Sequence, residues 1–309
     1  ALFNCSNTLY PEVFPGTRKF EAEVIAMTVD MLHGRECGAV GLLTSGGTES
    51  ILIAVLAYRE QARARGNDEP EILAAVTAHP ALTKACHYFG VSLTKLPVCP
   101  QTLRLLPDTV AAAISRRTVA VYASAPSFTH GVVDPIEELA SLAAGRGIGL
   151  HVDNCLGGFL LSFMQRIGKH DAPFDFRVAG VTTISCDCHK FGHTSKGVSV
   201  VAFRDPALRR LSYVPSVDGC EGLYVTPTLQ GSRAGATIAQ AWATLLYMGE
   251  EGYRRMAEEV TQVAEQMAEI VAKIPELQLL VQPDAAIVPI TTAPGAGFSI
   301  YQVASLLEA

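Results

Sequence analysis

The stretch Thr182-Thr183-Ile184-Ser185-Cys186-Asp187-Cys188-His189-Lys190-Phe191-Gly192 runs from an apolar, β-branched segment into a polar turn carrying a His-Lys pair. The first half predicts a buried strand, so Lys190 leaves the sheet where the strand stops. In α/β proteins, sites form outside the carboxyl ends of strands. Desolvation there would lower a lysine's pKa and free its amine as a nucleophile. A lone His-Lys pair is more often a plain surface-loop feature, so the surrounding chain has to decide.

Working outward, strands are predicted over 72–77, 91–98, 118–124, 148–153 and 197–203. Helices are predicted over 18–33, 51–65, 80–89, 107–114, 135–144, 236–248 and 249–274. Thr17 reads as the cap of the first helix and Gly34 as its stop. Pro80, Pro107 and Pro135 stand at helix starts, where proline is favoured. Strand and helix alternating in this way mean parallel pairing with crossover helices, an α/β fold. Residues 1–16 read as an N-terminal arm and 17–250 as one large domain. Residues 251–309 read as a linking helix and the start of a smaller C-terminal domain. That domain is expected to be truncated, because 301–309 reads as the opening of a helix that is then cut.

The chain has 309 residues, 49% hydrophobic and 17% charged, enough apolar material for a large core. Net charge is −6 with no Lys/Arg run, so nucleic acid is not an expected partner. No apolar stretch approaches the ~20 residues needed to span a bilayer. Nor does the N-terminus have a charged region followed by an apolar one. A soluble, cytoplasmic protein is expected, with an N-terminal anchor before the chain left open. The eight cysteines lie scattered among apolar runs, which suits reduced thiols. Cys186-x-Cys188-His189 has no second pair at zinc spacing, so no metal is expected.

Three further features carry chemistry. Thr44-Ser45-Gly46-Gly47-Thr48-Glu49-Ser50 is a small-residue turn opening a helix, and its free N–H groups make an anion site. It matches neither the P-loop nor the G-x-G-x-x-G pattern. His79 follows a strand, and alone it reads as a helix cap. Asp153 ends the apolar strand 148–153, where a buried carboxylate asks for a cationic partner or ligand.

Taken in order, these features resemble the large pyridoxal-phosphate (PLP) enzyme fold, fold type I or aspartate-aminotransferase-like, with a mostly parallel central sheet. The chain resembles the PLP-dependent group II decarboxylases, and within them the sphingosine-1-phosphate lyase branch, in a bacterial form. The motifs are F-P-G-x-R-K-x-E-A-E-V at 14–24, T-S-G-G-T-E-S at 44–50, A-Y-R at 57–59 and H-Y-F-G at 87–90. They continue with H-G-V-V-D-P-I at 130–136, H-V-D-x-C-L-G-G-F at 151–159 and F-D-F-R-V-x-G-V-T at 174–182. D-x-H-K-F-G at 187–192, G-L-Y-V-T-P-T at 222–228 and G-S-R at 231–233 complete the set. H-V-D-x-C-L-G-G-F with F-D-F-R-V marks the lyase branch.

The resemblance implies a lyase that cleaves the C2–C3 bond of a phosphorylated sphingoid base to a long-chain aldehyde and phosphoethanolamine. It implies PLP held covalently by Lys190, its ring nitrogen paired with Asp153 and its ring stacked by His79. Gly47, Thr48 and His189 would hold the cofactor phosphate. Ser232 would reach the same phosphate from the neighbouring subunit of a homodimer with shared active sites. Lys196 would assist with the substrate phosphate or proton transfer, and Asn7 would face the substrate phosphate across the dimer. Two positions depart from the pattern: Tyr10 stands where the family has histidine, and His193 where it often has tyrosine. Both fall in the substrate shell and bear on the head group. Two other readings are an amino-acid α-decarboxylase and a non-catalytic scaffold subunit with the same fold.

Overall fold

A computed structural model describes residues 3–220 and 222–307. The first helix, α1, spans Pro15–Met31, beginning with proline in its first turn. Thr17 therefore lies inside α1 and does not cap it. Its hydroxyl instead bonds Ser6 Oγ at 2.9 Å, pinning the N-terminal arm to the helix.

Next come β1 (Val40–Thr44), α2 (Gly47–Ala64), β2 (Glu71–Ala75), α3 (Pro80–Phe89) and β3 (Ser92–Leu96). They are followed by α4 (Pro107–Ala113), β4 (Thr118–Ser124), α5 (Ile136–Gly145), β5 (Gly149–Asp153) and α6 (Gly158–Arg166). Then come β6 (Thr183–Cys186), β7 (Ser199–Phe203), α7 (Pro206–Arg210) and the short ribbon β8 (Ser216–Gly219) with β9 (Gly222–Tyr224). The chain goes on through α8 (Gly235–Ala272), β10 (Leu277–Leu279), β11 (Ile290–Thr292) and α9 (Ile300–Leu307). The helix expected from residue 301 corresponds to α9, described as far as residue 307. Residues 308–309, like 1–2 of the expected arm, lie outside the described residues.

Among the described residues, the central sheet has seven strands in the order β1-β7-β6-β5-β4-β2-β3. β3, β2, β4, β5 and β6 pair in parallel, while β7 runs antiparallel between β6 and β1. This is the mostly parallel α/β sheet that the alternation predicts. The side-chain period of two sorts each strand onto two faces. Leu73, Val121, Ala123, Leu150, Val152 and Ile184 meet α1, α5, α6 and α8 on one face. Ile72, Ala74, Ala120, Tyr122, Val201 and Phe203 turn the other way, against α2, α3 and α7. His151, Asp153, Thr183, Ser185 and Ser199 share that second face by the same alternation, which sets polar groups beneath the start of α2.

The helix α6 is not anticipated from the sequence. A Cβ on Gly157 would sit 2.3 Å from Ala125 O, and one on Gly158 2.2 Å from Cys186 Sγ. The glycines let α6 start directly against the sheet. The two helices expected over 236–248 and 249–274 form one element, α8, broken by Gly249 at φ 54° and ψ −173°. Beyond this break, buried Tyr253 donates its hydroxyl to Gly192 O at 2.7 Å and braces the loop after Lys190. No helix among the described residues is long and apolar enough to cross a membrane.

Asp134, after β4, accepts from the backbone N–H groups of Leu105 and Ser124, each at 2.8 Å. Burial pushes its carboxyl up to about 6, against the pull of those bonds. A carboxyl raised in the folded state binds its proton more tightly there than in the unfolded chain. Stability therefore falls as pH rises from about 4 to about 6, by on the order of 3 kcal/mol. Denaturant titrations across this window are expected to show that slope in the wild type and to lose it in Asp134→Asn.

Candidate active site

The chemistry-bearing side chains meet where the sheet strands end beneath the start of α2. Their cavity has a volume of about 360 Å³. Gly47, Thr48, His79, Asp153, His189 and Lys190 all line it, together with Glu49, Phe128, Cys155 and Asp187. They arrive from several separate connections, and the sheet order brings these together.

The roof is the turn from β1 to α2. Its N-cap is Gly46, which offers no side-chain oxygen to the first-turn N–H groups. Those donors and the positive end of the helix dipole face the cavity. Glu49 braces the turn, with its two oxygens accepting from Ser45 N at 2.7 Å and Leu229 N at 3.1 Å. Gly47 has no room for a side chain: an added Cβ would stand 2.5 Å from Cys155 Sγ and 2.9 Å from Asp187 Oδ1. Gly47→Ala is expected to overpack the cavity by about 1–3 kcal/mol. Cofactor affinity should fall roughly 5–150-fold in an absorbance titration, with the fold intact.

The floor is Asp153, 8% exposed at the end of β5. Its carboxylate accepts from the Tyr122 hydroxyl, from Cys155 N at 3.0 Å and from Ser185 Oγ at 3.3 Å. Tyr122 also stacks on His151, with centroids 5.2 Å apart. Burial drives His151 down to about 4, so it is neutral, and its ring bonds Thr183 and Ser185. Burial, then the Asp153 charge, pushes both the Tyr122 phenol and the Cys155 thiol well up. Asp153 is thus surrounded by neutral donors. Nothing in the sequence singles out Tyr122, Ser185 or Cys155. Ser185 is the register partner of Asp153 on the next strand, a relation visible only once strand order is known.

Lys190 stands in the turn after β6, its Nζ 2.9 Å from Asp187 Oδ2. Burial pulls its amine down, but Asp187 first, then Cys155 and Asp153, together outweigh burial and hold it above its ordinary value. This is the reverse of the lowering expected from desolvation alone. Burial also pulls the Asp187 carboxyl upward, and the bonds from His189, Lys190 and Ser199 overcome it, leaving it below its usual range. His189 Nδ1 accepts from Gly197 N at 3.3 Å, which leaves Nε2, 3.5 Å from Asp187, as the protonated nitrogen. His79 does cap α3, its Nδ1 accepting from Ala81 N at 3.1 Å, and its ring meets Phe128 edge-on at 5.0 Å. The cap reading and the cavity reading of His79 therefore coexist.

Four expected site residues lie outside this cavity within one chain. Asn7 donates to Ser232 Oγ at 2.8 Å and accepts from Arg233 N at 3.0 Å, tying the N-terminal arm to the segment before α8. Tyr10 is 56% exposed. Lys196 donates to His189 O at 2.9 Å, back onto the lysine loop.

A lysine amine, a clamped strand-end carboxylate and an uncapped helix start on one cavity define a site for a phosphorylated, aldehyde-bearing cofactor of the pyridoxal type. Residues 3–291 match the Pyridoxal-dependent decarboxylase conserved domain, and the chain belongs to that family. It is 42% identical over 291 residues to the sphingosine-1-phosphate lyase of Dictyostelium discoideum, covering 94% of this chain and 55% of that protein. It is 40% identical over 310 residues to sphingosine-1-phosphate lyase 1 of Rattus norvegicus, covering 99% of this chain and 53% of that protein. The chain thus spans about half the length of these curated relatives. The solved sphingosine-1-phosphate lyase of Burkholderia pseudomallei superposes with a TM-score of 0.95 at 41% identity, over 99% of this chain and 71% of that one. A glutamate decarboxylase of Lactobacillus brevis shares the fold, with a TM-score of 0.86 at 20% identity over 99% of this chain and 73% of that one.

Pyridoxal phosphate is the family's cofactor, and the donor set here fits it. The turn supplies N–H groups for a phosphate, Lys190 an amine for an aldehyde and Asp153 a carboxylate for a ring nitrogen. Gly47 leaves the space that a side chain would fill.

Proposed function

We propose that the chain carries the cofactor-binding part of a carbon–carbon lyase. Its substrate would be a phosphorylated sphingoid base, cleaved between C2 and C3 to a long-chain aldehyde and phosphoethanolamine. The observation that carries this reading is identity of 40–42% to sphingosine-1-phosphate lyases across nearly the whole chain. Decarboxylases of known structure share the fold at about half that identity.

Pyridoxal phosphate, when bound, supplies a sink for the electron pair left behind as the bond breaks. The protein's part is to bind, orient and manage protons. Gly47 and Thr48 present backbone donors to the cofactor phosphate, with His189 beside them. Asp153, fixed by three donors, keeps a negative charge on the ring-nitrogen side. Lys190 would be the residue that holds the cofactor covalently. His79 and Phe128 form one wall of the cavity. Lys196, held against the His189 carbonyl, would serve the substrate phosphate or proton transfer.

Asn7, Tyr10 and Ser232 complete the site in this reading by facing the cavity of a second copy in a homodimer. The ribbon nearby supports an interface there: Val217 and Leu223 on it, and Val214 just before it, are 70%, 67% and 71% exposed. Eight free thiols suit a reducing, cytoplasmic setting. We divide the chain into an arm over 1–16, a cofactor domain over 17–250 and the start of a smaller domain over 251–309.

The test is incubation of the full-length, cofactor-loaded protein with a phosphorylated sphingoid base and, separately, with amino acids. Mass spectrometry should find a long-chain aldehyde and phosphoethanolamine in equal amounts from the first. Carbon dioxide from the second, with no aldehyde from the first, would make the protein an α-decarboxylase instead.

A further inference from the structure

Asp187 belongs to none of the roles assigned above, yet it sits at the centre of the cavity's polar network. It is 3% exposed and three donor side chains converge on it. Oδ1 accepts from Ser199 Oγ at 2.6 Å. Oδ2 faces Lys190 Nζ at 2.9 Å and His189 Nε2 at 3.5 Å. Ser199 is itself held at 3.0 Å by Ser50, and Ser50 at 2.6 Å by Thr44. This hydroxyl chain runs from β1 through the first turn of α2 to β7, so the carboxylate is anchored to rigid elements and not to the lysine loop alone. Both its oxygens also stand at 2.9–3.0 Å from where a Gly47 Cβ would be, directly beside the anion turn.

A buried carboxylate next to an anion site is unfavourable unless a cation covers it. Lys190 is that cation in this arrangement. A lysine held as an ammonium has no lone pair, so it cannot bond to a carbonyl carbon until it gives its proton to water.

We propose that Asp187 is the positioning residue that parks Lys190 as an ammonium beside the anion turn, so that covalent attachment of the cofactor requires this ion pair to open. The inference rests on the reading of Lys190 as the anchor. Other titratable groups facing the pair are Asp153 and Cys155 at the end of β5, Glu49 in α2, His79 at the start of α3 and His189 in the same turn. Among the side chains lining the cavity, Asp187 alone contacts Nζ within ion-pair distance. Once Lys190 leaves, His189 is the hydrogen-bond donor within reach of Asp187, its Nε2–H already turned that way.

The test needs no cofactor and no activity. Cofactor-free, full-length protein is trace-acetylated across a pH series and the Lys190 peptide is quantified by mass spectrometry, with exposed Lys84 and Lys95 as internal references. Asp187→Asn is expected to lower the Lys190 midpoint by about 1–3 pH units, the range for losing an opposite charge at this distance. Below both midpoints that is roughly 10–1000-fold more reactive amine. Ser199→Ala keeps the carboxylate and should move the midpoint by less than about half a unit, well under that range. An unchanged midpoint in Asp187→Asn overturns the proposal. So does a Ser199→Ala shift as large as that of Asp187→Asn, since loosened packing and not charge would then be the cause. Unfolding would raise Lys84, Lys95 and Lys190 to a common profile in Asp187→Asn, which would assign Asp187 to stability and likewise overturn it. If Lys190 behaves as proposed here but carries no cofactor after loading, the anchor reading fails and the ion pair stands.

Discussion

Lys190→Ala is expected to abolish turnover, by roughly 10⁴-fold or more, the scale of loss when the nucleophile is taken from a set of residues acting together. The side chain is 32% exposed and faces the cavity, so its truncation opens no void in the core. Asp187 loses its nearest cation but keeps the Ser199 hydroxyl and His189. The cofactor phosphate can still reach the uncapped start of α2, so weak, noncovalent binding should survive. Activity assays with circular dichroism on the same samples would check this. Activity should vanish while the secondary structure is retained. Residual turnover within tenfold of wild type would remove Lys190 from the chemistry.

Asp153→Asn should cost less, but still heavily. The substitution keeps shape and removes the negative charge from the floor of the cavity. The Cys155 N–H and the Ser185 and Tyr122 hydroxyls then point at a neutral amide, one end of which is itself a donor. Breaking one side of a buried charge pair costs about 3–5 kcal/mol. At about 1.4 kcal/mol per decade, that is roughly 10²–10⁴-fold in kcat/KM. Titration with the cofactor and steady-state kinetics would separate lost binding from lost turnover. The floor assignment predicts that both suffer, with kcat falling. An Asn variant with wild-type kinetics would place the essential carboxylate elsewhere.

The elements are most legible where a local rule sets both ends. Pro80 and Gly90 bound α3, and the apolar run 118–124 bounds β4; both match their expected ranges. The start of α1 is harder to read because Thr17 is a good cap in isolation, whereas Pro15 comes first and Ser6 claims the hydroxyl. The helix α6 is hidden because two successive glycines are poor helix formers at its start. Here they are the only residue type that lets backbone pass Ala125 and Cys186 at contact distance. In the site, the turn, His79, Asp153 and Lys190 can be read because each ends a periodic segment. Tyr122, Ser185, Ser199 and Asp187 cannot, because their meaning lies across strands. The antiparallel insertion of β7 between β6 and β1 is what carries Ser199 to Asp187, and no local pattern announces it. Asn7 and Ser232 pair with each other outside the cavity of their own chain, a placement that a single sequence cannot rank.

The most direct measurement is to load the full-length protein with pyridoxal phosphate, reduce it with borohydride, digest it and map the reduced cofactor by mass spectrometry. The tag is expected on Lys190 at close to one per chain, with occupancy falling in Gly47→Ala. A tag on Lys196 or another lysine with Lys190 unmodified, or no tag on any peptide, would contradict a cofactor anchored between the start of α2 and Asp153.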